Sequence, residues 1–237
     1  MELKNKVAYI TGGSKGIGLA TAEALLEKGM KVAISGRSNS INEVATSLNQ
    51  KFPDHVMGII SNVRSLEAEQ EAVQKIRNKW KEIDVLIANA GVGHFAPIDE
   101  ITEEQWNDVI DINLTGVFHS VKAAVASLKV TKGYLITIAS LAGTNFFAKG
   151  AAYNASKFGL VGFTQAVMMD LRQYGVKATT IMPGSVATHF NGNEPGDKDA
   201  WKIQPEDIGV MIKDILKMPA RTLPSKIEMR PSIPPSK

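Results

Sequence analysis

The chain has 237 residues, 44% of them hydrophobic and 22% charged, with a net charge of +3 and no cysteine. Such a composition suits a globular domain and excludes disulfides, a thiolate nucleophile and a cysteine-ligated metal, while so small and scattered a charge argues against a nucleic-acid surface. No apolar run approaches the roughly 18–20 residues that span a bilayer, and no signal-peptide core follows Met1, so no membrane partner and a cytoplasmic location are expected.

In chain order, a strand over Val7–Thr11 leads into Thr11-Gly12-Gly13-Ser14-Lys15-Gly16-Ile17-Gly18, which opens a helix running to Lys28. Glycines there permit a tight turn, let backbone approach a pyrophosphate, and let the helix pack closely on the strand. The helix N-terminus offers unpaired N–H groups to phosphate. The strand Val32–Ser35 is followed by Gly36-Arg37-Ser38, with no carboxylate where one would bind the adenosine ribose of NAD. An arginine there can stack on adenine and pair with a 2′-phosphate, and Lys15 adds a second positive charge. The cofactor expected is therefore NADP(H).

Next come a helix over Ser40–Lys51, a strand over Val56–Ser61 ending at Asn62-Val63, and a helix over Leu66–Lys81. The strand Val85–Ala88 is followed by Asn89-Ala90-Gly91, a long helix over Thr102–Leu128 and the strand Tyr134–Ala139. Ser140 follows directly, thirteen residues before Tyr153 in the helix Ala151–Tyr174. Tyr153 and Lys157, four residues apart, share a helix face with Cβ atoms about 5–6 Å apart. At that spacing an ammonium lowers a phenol pKa of roughly 10 by about 1–3. With the Ser140 hydroxyl, the pair can protonate a carbonyl oxygen while hydride reaches its carbon.

The last elements are the strand Lys177–Met182, the segment Pro183-Gly184-Ser185-Val186-Ala187-Thr188, the helix Pro205–Met218 and the strand Lys226–Met229. Between them His189–Gln204 is polar and reads as a mobile loop and small lid over an open pocket. The near-continuous apolar strands suit burial on both faces. Their alternation with helices predicts an α/β Rossmann-type doubly wound parallel sheet of about seven strands. A single domain over residues 1–230 and a poorly ordered tail over 231–237 are expected.

Other constellations are weaker. Ser156-Lys157 is no nucleophile pair, because adjacent helical residues do not face each other. His55, His94, His119 and His189 lack metal-ligand spacing, so no metal is expected. His94 with Phe95, and Phe146 with Phe147, are candidate pocket walls. Lys129, Lys132 and Arg172 could dock an acidic carrier protein or simply be solvated.

In its ordered series of motifs the chain resembles the short-chain dehydrogenase/reductase family, in its branch of about 250 residues, over nearly its whole length to about residue 218. The resemblance implies that Gly12–Gly18 is the cofactor loop and that Asn89-Ala90-Gly91 holds the sheet together beside the cofactor. It also implies that Asn113 supports a water in a proton relay and that Ser140, Tyr153 and Lys157 are catalytic. Pro183, Gly184, Val186 and Thr188 would lie at the nicotinamide, the last two touching its carboxamide. Asn62-Val63 stands where many members have Asp-Val beside the adenine, and an asparagine amide oxygen still accepts a hydrogen bond. The two long helices resemble the family's dimer-forming pair, so a homodimer or homotetramer is expected.

The segment Leu223–Pro231 lacks the glycine-rich ending of reductases that act on acyl-carrier-protein thioesters. The implied activity is thus NADPH-dependent, reversible reduction of a small ketone or aldehyde. A 3-oxoacyl-[acyl-carrier-protein] reductase is the alternative, and a catalytically silent NADP(H)-binding sensor is a second.

Overall fold

Seven parallel strands form one sheet in the order β3-β2-β1-β4-β5-β6-β7 in a computed structural model that describes residues 1–234. The strands are β1 Val7–Thr11, β2 Lys31–Gly36, β3 Val56–Ile60, β4 Val85–Ala88, β5 Tyr134–Ile138, β6 Lys177–Pro183 and β7 Lys226–Met229. Each agrees with the sequence expectation to within a residue or so. The helices are α1 Gly16–Leu26, α2 Ser40–Lys51, α3 Leu66–Trp80, α4 Glu103–Ile110, α5 Gly116–Thr131, α6 Ala151–Leu171 and α7 Pro205–Lys217. The strand order reverses between β1 and β4, which leaves a crevice at the carboxyl ends of the strands.

Successive strand residues face opposite layers, and the two halves of the core follow that alternation. Ala8 and Ile10 pack with Ile34, Leu25, Ile41 and the α7 residues Ile208, Ile212 and Ile215. Val7 and Tyr9 pack on the other side with Leu86, Leu135, Ile76, Val121 and Leu160. Each of the α7 isoleucines is at most 2% exposed, and burying such a side chain stabilises the fold by roughly 1.5–3 kcal/mol. Gly209 lets α7 cross α1 closely, since a Cβ there would stand 2.9 Å from the Ala20 carbonyl oxygen.

The helix expected over Thr102–Leu128 departs from a plain α-helix. Thr102 caps its start by accepting from the Gln105 backbone N–H at 3.2 Å. Between α4 and α5, Asp111–Thr115 forms a π turn, in which the Gly116 N–H reaches back five residues to the Asp111 carbonyl. By length and composition Glu103–Thr131 is apolar enough to cross a membrane. In the fold its Val117, Val121, Ala124 and Leu128 belong to the core. Lys129 packs its ammonium 3.9 Å from the centre of the Tyr174 ring, and Lys132 ends α5 in a left-handed conformation.

The tail expected to be poorly ordered begins at Pro231, which lies 3.3 Å from where a Gly184 Cβ would be. Residues 235–237 of that tail lie outside the described residues.

Candidate active site

A cleft of about 1430 Å³ runs along the carboxyl ends of the strands, more than the roughly 300–1,000 Å³ that one small ligand needs. One wall is the turn from β1 to α1. Gly12 has φ +66°, and a Cβ on it would lie 2.8 Å from Ala90 Cα. A Cβ on Gly18 would lie 2.3 Å from the Gly12 carbonyl oxygen, so the close helix–strand approach inferred from the motif is real. Lys15, at the N-cap of α1, makes no side-chain cap, and the first turn holds no acidic residue. By contrast, α3 has its Ala68 N–H capped by Ser65 at 3.1 Å. The α1 terminus therefore keeps its donors and positive dipole end for an anion from the cleft, and a pyrophosphate fits that cradle.

Asn89 ties this turn to β4. Its amide nitrogen donates to the carbonyls of Thr11 and Gly12, each at 2.9 Å. The Thr11 hydroxyl accepts from the backbone N–H groups of Asn89 and Ala90. Gly12, Ser14, Lys15, Gly16, Ile17, Asn89, Ala90 and Gly91 all border the cleft. So do Arg37 and Val63, just past the ends of β2 and β3, and Pro183, Gly184, Val186 and Thr188 opposite. Lys15 and Arg37 are both exposed.

Ser140, Tyr153 and Lys157 line the same cleft. Ser140 follows β5 in an extended conformation, its hydroxyl accepting from the Ala142 N–H at 3.1 Å. Tyr153 and Lys157 lie one turn apart on α6, with the ammonium 5.6 Å from the phenol ring centre. Lys157 is 4% exposed and donates to the Ile138 carbonyl at 3.0 Å. The expected depression of the tyrosine pKa does not appear. Burial pushes the Tyr153 phenol up to about 12, with the Ser140 hydroxyl pulling the other way. Burial also brings Lys157 down to about 8. Both charged forms lose more by leaving water than they gain here from each other.

Four residues expected at the site do not border the cleft. Gly18 is spent on the approach of helix to strand. The Ser38 hydroxyl hydrogen-bonds Ser40 at 2.8 Å on the exposed surface. The Asn62 amide oxygen accepts from the Arg64 N–H at 3.2 Å, in a turn ahead of α3. Asn113 is 1% exposed. Its amide oxygen accepts from the Val92 N–H, and its nitrogen donates to the Val92 carbonyl and the Ser156 hydroxyl. Both Asn113 N–H groups are thus committed to joining the β4 loop to α6, and the side chain is a brace.

Some residues at the site escaped the sequence reading. Asn154, between Tyr153 and Lys157, donates to the carbonyls of Ala142 and Asn145 at 2.7 and 2.8 Å, pinning the loop after Ser140 to α6. Beneath the ends of β1 and β3, Glu69 is fully buried. Its carboxylate accepts from the Tyr9 hydroxyl at 3.0 Å and the Ser61 hydroxyl at 2.7 Å. Burial and Glu69 together push the Tyr9 pKa well up. Phe190 stands against Tyr153, their ring centres 5.7 Å apart. Only a polar stretch marked that region. His94 is fixed at the cleft by Asp108 at 2.8 Å, and Arg64 holds the same carboxylate. No cluster of metal-ligating side chains occurs among the described residues.

The model of the short chain dehydrogenase family matches residues 6–199. An uncharacterized oxidoreductase of Staphylococcus saprophyticus is 34% identical over 237 residues, covering 98% of this chain and 99% of that one. The 3-oxoacyl-[acyl-carrier-protein] reductase of Escherichia coli is 34% identical over 189 residues, 79% of this chain and 76% of that protein. Among solved structures, the alcohol dehydrogenase of the archaeon Thermococcus sibiricus, complexed with 5-hydroxy-NADP, has a TM-score of 0.92. It is 29% identical and the match covers 99% of this chain and 100% of that one. By the family match and these relatives, the chain belongs to the short-chain dehydrogenase family and is an oxidoreductase that uses a nicotinamide cofactor.

Proposed function

We propose that this protein reversibly reduces a ketone or aldehyde to an alcohol with NADPH. The observation that carries the reading is that Ser140, Tyr153 and Lys157 converge on the same cleft as the uncapped N-terminus of α1. When bound, a nicotinamide cofactor would supply the hydride, and this chain's own residues handle the proton. In reduction the Tyr153 phenol gives its proton to the substrate oxygen, which the Ser140 hydroxyl holds. The Lys157 ammonium lies one helical turn away and stabilises the phenolate that results. Solvent then restores the phenol. In oxidation the same phenolate is the base. Asn113 and Asn154 hold the loops that frame these groups.

Preference for NADPH rests on Lys15 and Arg37, two exposed cations at the phosphate and adenosine walls. That the similar archaeal alcohol dehydrogenase is complexed with an NADP derivative supports the same choice. Half-exposed apolar side chains on the long helices, Phe118, Phe158 and Met169, support a homodimer or homotetramer. One cytoplasmic domain, with 189–204 as its lid, completes the reading.

The test is cofactor consumption with NADPH and NADH across small ketones, aldehydes and a 3-oxoacyl thioester, for the wild type and Tyr153→Phe. Turnover of the small carbonyls that collapses in the variant is expected. Equal turnover in the variant would sink the mechanism. A preference for the thioester would move the assignment toward the E. coli relative's reaction, and absence of any turnover would favour the sensor reading.

A further inference from the structure

Two phenyl rings, Phe147 and Phe190, line the outer end of the cleft, a third, Phe95, backs them from outside its lining, and the acid–base chemistry has no use for any of them. Phe95 stands edge-on to Tyr153 with ring centres 5.4 Å apart. Phe147 lies 5.9 Å from Phe95, and Phe190 lies 5.7 Å from Tyr153. All three separations fall within the range of favourable aromatic pairing, about 4.5–7 Å. They come from three different loops, so no single helix or strand repeat accounts for the grouping. Gly93 makes it possible. A Cβ there would stand 2.8 Å from Phe190 Cζ and 2.9 Å from Phe95 Cζ, so the two rings close over bare backbone. The rings are not core: Phe95 is 38% exposed and Phe147 49%.

The lysine and arginine at this end already have carboxylate partners. Lys202 pairs with Asp199 at 2.6 Å, and Arg230 with Glu228 at 2.9 Å. His94 is held by Asp108. An anionic substrate would therefore share each of these cations with a carboxylate already in place.

We infer that Phe95, Phe147 and Phe190 form an aromatic collar around Tyr153 that selects neutral aryl ketones and aldehydes over saturated and acidic carbonyl compounds. The inference rests on the reductase reading above and names its substrate class. The flat face of an aryl group next to the carbonyl meets ring edges of the collar while the carbonyl oxygen reaches the Tyr153 phenol and the Ser140 hydroxyl.

Acetophenone and cyclohexyl methyl ketone have the same carbon count and differ in the ring, and the change in their kcat/KM ratio between the wild type and its variants cancels the intrinsic reactivity of each carbonyl and reports the aromatic contribution. The collar predicts a ratio of about ten or more in the wild type, with pyruvate a still poorer substrate. Phe147→Leu and Phe190→Leu should each lower that ratio to about three or less, mainly through the KM for acetophenone. A wild-type ratio near one, or variants that lose both ketones in parallel, would overturn the collar and leave the reductase reading intact. A second measurement does not need turnover: titration of acetophenone into Tyr153→Phe loaded with NADP+, with and without Phe147→Leu. Binding weakened about threefold or more by the second change is expected. Unchanged binding overturns the collar even if no ketone is turned over, an outcome that would by itself defeat the reductase reading.

Discussion

The two ends of the cleft are built from different materials. The phosphate end is main chain: Gly12 and Gly16 at positive φ, Gly18 against a carbonyl, and an uncapped helix terminus. The substrate end is side chain: three phenyl rings on loops, set around a phenol and a hydroxyl. Backbone geometry admits few alternatives, so the phosphate end tolerates little change. Rings on loops can be exchanged singly, so selection of the substrate can drift while the reaction stays the same.

That contrast can be attacked at several points. Tyr153→Phe removes the proton donor and should lower kcat by about 10²–10⁴-fold in steady-state assays, with NADPH binding largely kept. pH should separate the two directions. Because the Tyr153 pKa lies near 12, its phenolate fraction rises about tenfold per pH unit below that value while the phenol fraction stays constant. Between pH 5 and 7, where Lys157, brought down to about 8, keeps its ammonium, alcohol oxidation should climb accordingly and carbonyl reduction stay flat. Gly18→Ala places a methyl against the Gly12 carbonyl and should weaken NADPH binding on the order of 10²-fold by fluorescence titration. Wild-type affinity in that variant would show the turn to be as yielding as the loops. Arg37→Ala should cut the preference for NADPH over NADH about tenfold, with little change in the reaction with NADH.

The smallest effect concerns stability. Lys157 has a folded pKa below its unfolded one, so the fold disfavours the ammonium. That penalty is present below about pH 8 and fades as pH rises toward the unfolded value of about 10.4. Lys157→Met should therefore stabilise the fold at pH 7 by about 1–3 kcal/mol, lose activity, and show a smaller stability advantage at pH 10 in chemical denaturation.

The fold was largely legible because the central strands β1, β2, β4, β5 and β6 are buried on both faces and each glycine of the first turn answers a steric demand. The hydroxyl, phenol and amine were legible by spacing and by family resemblance. What escaped depends on contacts between distant segments. Asn154 looked like filler between Tyr153 and Lys157, yet it is the staple of the loop after Ser140. Glu69 falls in the first turn of α3 among other acidic residues, and nothing local marks it as the one buried beneath Ser61. Phe190 sits in a polar stretch without periodicity, and only the bare backbone of Gly93 reveals its place. The sign of the Tyr153 shift also escaped, because spacing reports the neighbouring charge and not the loss of water.

The π turn at Asp111–Thr115 solves a problem of phase. Buried Val109, Asn113, Val117 and Val121 follow one another at intervals of four, and each such step overshoots a full turn of an ideal α-helix by about 40°. Three steps accumulate about 120°, enough to swing the last member off the core. One surplus residue absorbed in a wider turn removes about 100° of that error. Asp108 and Ile112 can therefore face the cleft while Val117 and Val121 remain in register with the sheet. Deleting a single residue of the segment would remove the surplus and the wider turn together and leave a regular helix whose two halves keep their phase, whereas straightening the turn at its present length would put them out of step.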